Sequence, residues 1–593
     1  MSSILKGVAV APGIGVGKVV YFDDTPRFIP TRTVEPEEVE GEVRRFRSAL
    51  RAAEKDLRVL RRQVASTLSP RDAGIFDAHI SILKDPGFVN DARELIFLER
   101  INVEQALQRV VAKYEKAFEE VADPAFRERA ADIRDVGNRV LMVLLKSDQP
   151  KKLGREERFI HASIDFLPSR AGDLDREHCA AIITERGGKY SHGAILAKSM
   201  GIPAVVGVED LYSRLPEGES VAVDGSAGLV HVGLSPQEIE AWRAREGQYR
   251  AVEATVEKVR RAPAETSDGC TIRIDINIEG LRDLEGTDLQ SFDGVGLFRT
   301  EFAFMEKKHF PSEEEQFEIY SETLRLARGR TVVFRTLDIG GDKPLDYFRI
   351  PEESNPVLGW RGLRITFGMM DLFYTQMRAL LRASVGGPTA ILLPMVSTVE
   401  EVRKAREVMG QIVKDLRSEG VAVPDRVELG AMVEVPAVAM VLPEVLEQVD
   451  FVSIGTNDLT QYLLAVDRDN PRVSGFYEPY HPAVIRMLDQ IVRICDEKGK
   501  SCSICGEIAG DHHLTMPLIG LGFRTLSMTP VLVPRVKLII GQTSLEECRR
   551  VASQALALAT VGEVKELLSR QAHDKVDRYL RHRGLDVESP DRG

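Results

Sequence analysis

A small set of residues in this sequence combines reactive chemistry with useful placement. His192 stands in the stretch Gly187-Gly188-Lys189-Tyr190-Ser191-His192-Gly193-Ala194-Ile195-Leu196-Ala197-Lys198. Two glycines let the backbone turn tightly and approach a ligand closely. Ser191 is a helix-capping type, and Ile195, Leu196 and Met200 begin a helical run. The histidine is therefore expected in a helix's first turn. Unpaired N–H groups and the positive end of the macrodipole there favour an anion such as a phosphoryl group and disfavour imidazolium. A neutral, nucleophilic imidazole follows, against the plainer reading of a polar cap.

A second set lies further along the chain. Arg299 occurs in Leu297-Phe298-Arg299-Thr300-Glu301, Arg335 in Phe334-Arg335-Thr336-Leu337-Asp338, and Arg468 in Ala465-Val466-Asp467-Arg468, with Arg361 between them. Converging guanidiniums make a fork-shaped donor array suited to phosphate and carboxylate oxygens. Glu434 in Met432-Val433-Glu434-Val435-Pro436, and Asn457 with Asp458 in Ser453-Ile454-Gly455-Thr456-Asn457-Asp458, add carboxylates. Two such acids are hard oxygen ligands for Mg²⁺, or else simply partners for the arginines. In Cys502-Ser503-Ile504-Cys505-Gly506-Glu507 the two cysteines are three apart on a strand, so only one faces a site. Cys505, before a glycine, is the candidate proton donor or acceptor. Asp511-His512-His513 reads as a loop and helix start rather than a metal site.

These residues need elements to hold them. Residues 4–21 read as short strands, and strands return at 158–161, 180–184, 204–206, 220–224 and 229–232. The simplest arrangement is a discontinuous α/β domain, 1–34 with 148–233, that carries His192. Between its halves, Val39, Val43, Phe46, Leu50, Leu57, Leu60 and Val64 recur at helical spacing, and further helices are expected to a break at 147. Residues 35–147 therefore form an inserted helical bundle, with a docking surface envisaged around Ile75, Phe76, His79 and Leu83. A charged linker helix at 234–261 leads to 262–575, where eight strands alternate with helices as in a (β/α)8 barrel, and 576–593 is a tail. Barrel chemistry collects at the C-terminal ends of strands, which is where the second set falls.

Composition sets the outer bounds. The chain has 593 residues, 43% apolar and 29% charged, with net charge −12, which suits a soluble multidomain protein and disfavours nucleic-acid binding. No stretch is apolar enough to cross a bilayer, and six scattered cysteines point to the reducing cytosol. Gly17-Lys18 hints at a P-loop, but Pro12 and Val19 replace the required glycine and hydroxyl residue.

Taken together, these motifs closely resemble the enzyme I family of bacterial sugar phosphotransferase systems, the phosphoenolpyruvate-protein phosphotransferases. The resemblance includes Glu128-Arg129-Ala130-Ala131-Asp132-Ile133-Arg134-Asp135-Val136-Gly137 and covers nearly the whole chain. It implies that His192 is phosphorylated at Nε2, and that Arg299, Arg335, Arg361, Asn457, Asp458 and Arg468 form the phosphoenolpyruvate site. It implies Mg²⁺ on Glu434 and Asp458, and Cys505 as the donor that protonates the enolate to pyruvate. It further implies HPr docking on the helical insert, a homodimer through the barrel, and a swing of the histidine domain about the linker. Lys189, Tyr190 and Lys198 depart from the family's arginine, threonine and arginine, and Leu167 from its threonine, so the phosphohistidine environment differs. The alternatives are a regulatory, nitrogen-type relay with another carrier, an ATP-dependent dikinase or synthase, and a non-catalytic sensor. A dikinase needs a nucleotide domain, and the regulatory members often carry an extra N-terminal domain; neither is expected here.

Overall fold

The computed structural model describes residues 3–22, 29–67, 70–119, 124–145, 158–166, 174, 178–187, 194, 197, 198, 200–305, 307, 309–341, 345, 347, 348, 351, 353–468, 470 and 472–583. The chain divides into two compact units, Met1–Ala251 and Val252–Arg592.

In the first unit, eight strands make one sheet: β1 (Ser3–Lys6), β2 (Val8–Ala11), β3 (Ile14–Tyr21), β4 (Phe159–Ser163), β5 (Cys179–Thr184), β6 (Ala204–Val206), β7 (Ser220–Asp224) and β8 (Leu229–Val232). Their order is β1-β8-β7-β3-β4-β5-β6-β2, with β3 to β6 parallel and the flanking pairs antiparallel. Every residue of β4 and β5 is buried, as expected for central parallel strands covered on both faces. Between β3 and β4 five helices are inserted: α1 (Val39–Thr67), α2 (Pro70–Lys84), α3 (Pro86–Leu98), α4 (Val103–Glu119) and α5 (Pro124–Leu144). Prolines open three of them, where the missing N–H costs nothing. Asp85 caps α3 by accepting from the Phe88 amide at 2.8 Å. The apolar seam of α1 lies in the bundle core with Phe76, Phe88, Leu107 and Val140. Glu42 of α1 accepts from the Val103 amide at 3.0 Å, satisfying a first-turn donor of α4 while the side chain of Asn102, which precedes the helix, is engaged by Arg32, Pro30 and Glu104.

In the second unit, β9 (Arg273–Ile278), β10 (Gly294–Arg299), β11 (Val332–Arg335), β12 (Thr389–Leu393), β13 (Glu428–Val433), β14 (Phe451–Ile454), β15 (Ser501–Ile504) and β16 (Thr525–Met528) close into a parallel barrel, β16 pairing with β9. This is the expected eight-stranded barrel. Four of these strands, β11, β12, β13 and β15, end one or two residues before Thr336, Met395, Glu434 and Cys505. The Thr336 and Cys505 amides still donate to the neighbouring strands, at Leu392 and Ile454, whereas the Met395 amide donates to Glu434 at 2.5 Å.

One expectation about connectors is extended and one corrected. The charged linker helix runs Pro236–Glu257 and also carries apolar contacts. Its Ile239, Trp242 and Tyr249 pack on Ile14, Val16 and Ala222 of the sheet, whereas Val252 and Val256 belong to the barrel core. The last helix, Val561–His582, runs well into the expected 576–593 tail, with Val576, Tyr579 and Leu580 in the barrel core. Short apolar stripes broken by charges hid both from a periodicity argument.

Candidate functional site

The barrel mouth assembles most of the second set. Arg335 ends β11 and Arg361 lies beyond it; they are 5% and 1% exposed, and such arginines must be paired. Arg335 is gripped by Glu301 and lies 3.1 Å from Asp338. Arg361 reaches Asp338 and Asp458, both at 3.2 Å, and donates to the Tyr462 hydroxyl at 3.3 Å. Arg468 approaches Asp458 at 3.9 Å. Arg299, in register with Arg335 on the neighbouring strand, pairs with a different carboxylate, Glu279, at 3.0 Å. Neighbouring carboxylates hold the Arg335 and Arg361 guanidiniums firmly charged despite their burial.

The two carboxylates proposed as metal ligands behave differently. Asp458 pairs with arginines, as the plainer reading had it. Glu434 does not: one oxygen accepts from the Met395 amide, and the other, Oε2, is buried without a hydrogen-bond partner. Burial, with Asp458 and Asp338 nearby, pushes its carboxyl up to about 7, against the pull of Arg335 and Arg361. Gly455 leaves the space in front of that oxygen open, since a Cβ there would lie 2.7 Å from Oε2. An orphaned, crowded carboxylate of this kind fits a divalent cation, which would supply the missing positive charge.

Asn457 accepts from the Glu507 amide at 2.8 Å and donates to the Glu507 carboxylate at 3.3 Å. Cys505 lies among the residues inside the barrel, with Leu297, Ala390, Leu392, Met432 and Phe451. Burial pushes its thiol up to about 11, so at neutral pH it keeps its proton. All six cysteines are free thiols. Cys502 is only half-buried and packs outside the barrel, as the opposite-face argument expects.

His192 lies outside the described residues, as do Leu167, Lys189 and Tyr190. Of its surroundings, β5 and the buried Ala194, Ala197 and Met200 are described, and Lys198 is exposed. The docking surface expected around Phe76, His79 and Leu83 is corrected: all three are buried in the bundle. His79 lies 3.2 Å from Asp132 and 3.7 Å from Asp135, a polar knot inside the core rather than a rim. Ile75's side chain is outside the described residues. Asp511, His512 and His513 bring ligand atoms within 4.8 Å of one another. The Asp511 carboxylate is already engaged, by the Tyr480 hydroxyl at 2.5 Å and the His513 amide at 3.0 Å, which locks the start of the next helix.

Sequence reasoning passed over Glu301, Asp338 and Tyr462 as site residues. A usable signal was present for the two acids, which follow strand-end arginines by two and three positions; a buried arginine demands such a counter-charge. Tyr462 reaches the site from a helix, and no local pattern marks it.

Three profiles of one protein class match the chain: the N-terminal part of phosphoenolpyruvate (PEP)-utilising enzymes over 6–129, their mobile domain over 157–228, and their PEP-binding domain over 253–545. With its closed parallel barrel within the matched PEP-binding region, the chain is a PEP-utilising enzyme. Curated relatives narrow this. Proteins named phosphoenolpyruvate-protein phosphotransferase from Staphylococcus aureus and Listeria innocua are each 38% identical to it, and one from Streptococcus equinus is 37% identical. Each alignment covers 96% of this chain and 99% of the relative. The chain belongs to the phosphoenolpyruvate-protein phosphotransferase family, enzyme I. Among the described residues, no helix is long and apolar enough to cross a membrane.

Proposed function

We propose that the protein transfers the phosphoryl group of phosphoenolpyruvate to Nε2 of its own His192, and from there to the phosphocarrier protein HPr in the cytosol, the first step of sugar phosphotransfer. One observation carries this reading: two buried, charge-locked guanidiniums, a carboxylate with an orphaned oxygen and a protonated thiol share one barrel mouth.

Arg335, Arg361 and Arg468, with Arg299 and Asn457, hold the phosphate and carboxylate of the substrate. Because their carboxylate partners already fix them, little reorganisation is needed as charge develops on the enolate oxygen. Glu434 and Asp458 would hold Mg²⁺, which would neutralise charge on the phosphate and enolate oxygens. Neutral His192 attacks phosphorus in line with the departing enolate. The Cys505 thiol then donates its proton to C3, giving pyruvate; that ketonisation makes the transfer favourable.

HPr docks on the helical insertion, where Val59, Phe97 and Leu98 are exposed apolar side chains. The barrel forms a homodimer through its C-terminal rim, on which Leu358 is 63% exposed and Phe476 70%. The domain limits follow the expectation of a histidine domain in 1–34 and 148–233 interrupted by the bundle 35–147.

Intact-mass measurement after mixing with phosphoenolpyruvate and Mg²⁺ tests the reading. An acid-labile phosphoryl adduct that His192→Ala abolishes, and that HPr discharges, is the expected result. A parent protein that gains no adduct overturns it.

A further inference from the structure

The acid that ends the reaction is a thiol on a short stretch between two turns, and a thiol delivers its proton to one face of a planar enolate only if its backbone is fixed. Cys505 lies just past the end of β15. Its own amide still donates to the Ile454 carbonyl of β14 at 3.1 Å. The other end of the residue is held by a side chain: Asn277, on β9, donates through Nδ2 to the Cys505 carbonyl at 2.9 Å.

Asn277 is itself oriented. The Ser527 hydroxyl on β16 donates to Asn277 Oδ1 at 2.7 Å, which fixes which end of the amide is the donor. A longer contact from Nδ2 to the Ser527 carbonyl, 3.4 Å, completes the clasp. Room for the serine comes from Gly296 on β10, where a Cβ would lie 2.4 Å from the Ser527 hydroxyl. Asn277, Ser527 and Gly296 thus tie strands β9, β10 and β16 to the end of β15. Asn277 also lines, with Glu279, Arg299 and Thr529, a cavity of about 300 Å³ at the barrel mouth. Asn277, Ser527 and Gly296 carry no ionisable side chain, and none of the three touches the carboxylate and guanidinium cluster in the contacts above.

We infer that Asn277, oriented by Ser527, is a positioning residue for the protonation step, holding the Cys505 peptide so that its thiol addresses one face of the enolate at C3. The inference rests on Cys505 being the proton donor. In that step the S–H bond breaks, a C–H bond forms at C3, and the thiolate left behind recovers its proton from water. Asn277 moves no proton; it acts through Cys505.

The test is a double-mutant cycle on the full chain with Asn277→Asp, which keeps the shape and the acceptor but removes the Nδ2 donor, and Cys505→Ala. Pyruvate release, phosphoenolpyruvate affinity and the facial selectivity of C3 protonation, read from the chirality of the methyl group formed when stereospecifically C3-monodeuterated substrate reacts in tritiated water, are followed together. Asn277→Asp is expected to slow pyruvate release by about 10²-fold at unchanged affinity and to erode facial selectivity, the loss that misplacing a reacting group by about 1 Å incurs. In the Cys505→Ala background it should cost nothing further. Ser527→Ala, which frees the amide to rotate, should reproduce a milder form and serves if Asn277→Asp does not fold. Equal losses in both backgrounds, or a loss confined to affinity, overturn the inference. Full turnover by Cys505→Ala alone overturns the donor assignment on which it stands, and that outcome is visible before Asn277 is touched.

Discussion

The barrel mouth and the helical insertion both bury charge, and they do it with opposite chemistry. In the barrel, arginines that never lose their proton sit against Glu301, Asp338 and Asp458. In the bundle, besides the buried Glu42 and Glu104 that pair with Arg45, a buried charge is carried by a titratable group, His79, between Asp132 and Asp135. Burial alone would lower its proton affinity, but the hydrogen bond to Asp132 and the charges of both aspartates more than offset that and raise its pKa above 6.5. The first cluster is a fixed template. The second is a structural pin that pH can loosen.

The largest expected effect attacks the template. Asp338→Ala leaves two guanidiniums short of counter-charge inside the barrel and should destabilise it by about 3–5 kcal/mol, read from the barrel's unfolding transition in urea. A shift under about 1 kcal/mol would mean that water already compensates those charges, and the contrast with the bundle would collapse. Next, Cys505→Ala should slow pyruvate formation by about 10²–10⁴-fold while phosphoenolpyruvate still binds, measured by coupled assay and calorimetry. Lost binding would move the thiol from proton donor to part of the template.

His79→Gln sharpens the other side. The stability that His79 contributes is fully present below its unfolded-state value near 6.5 and is lost as pH rises through the raised folded-state value. The variant should therefore cost about 1–3 kcal/mol at pH 6 and progressively less at higher pH, followed by denaturation of the bundle. A pH-independent cost would make the pin a matter of shape alone. The smallest effect belongs to the rim: Phe476→Ser should weaken self-association about tenfold, roughly 1.4 kcal/mol, in sedimentation equilibrium, with neither cluster disturbed.

Much of this was legible from residue types. The eight barrel strands read as apolar runs ending in Arg299, Arg335, Glu434 and Cys505, and strand ends are where a barrel places its chemistry. The bundle was legible from the period of α1. What the chain hid was identity of partners. His79 and Phe76 looked like a rim because a polar residue beside apolar ones does not say whether aspartates fifty residues on will cover it. Arg299 looked equivalent to the other arginines, but Glu279, just past the end of β9, holds it. Pairing across elements is a tertiary fact, and no local spacing encodes it.

The strand order of the first unit bears on how the chain is made. None of β1, β2 and β3 pairs with another of the three: β1 takes β8, β2 takes β6, and β3 lies between β7 and β4. Every one of those partners follows the helical insertion. As the polypeptide leaves the ribosome, its opening strands wait unpaired while α1 to α5 emerge and collapse on their own core, and that collapse shortens the loop that β4 must then close. The insertion is thus a timing device as well as a surface: an edge-rich N-terminus is held over until a compact bundle has brought the chain's two ends of the sheet together.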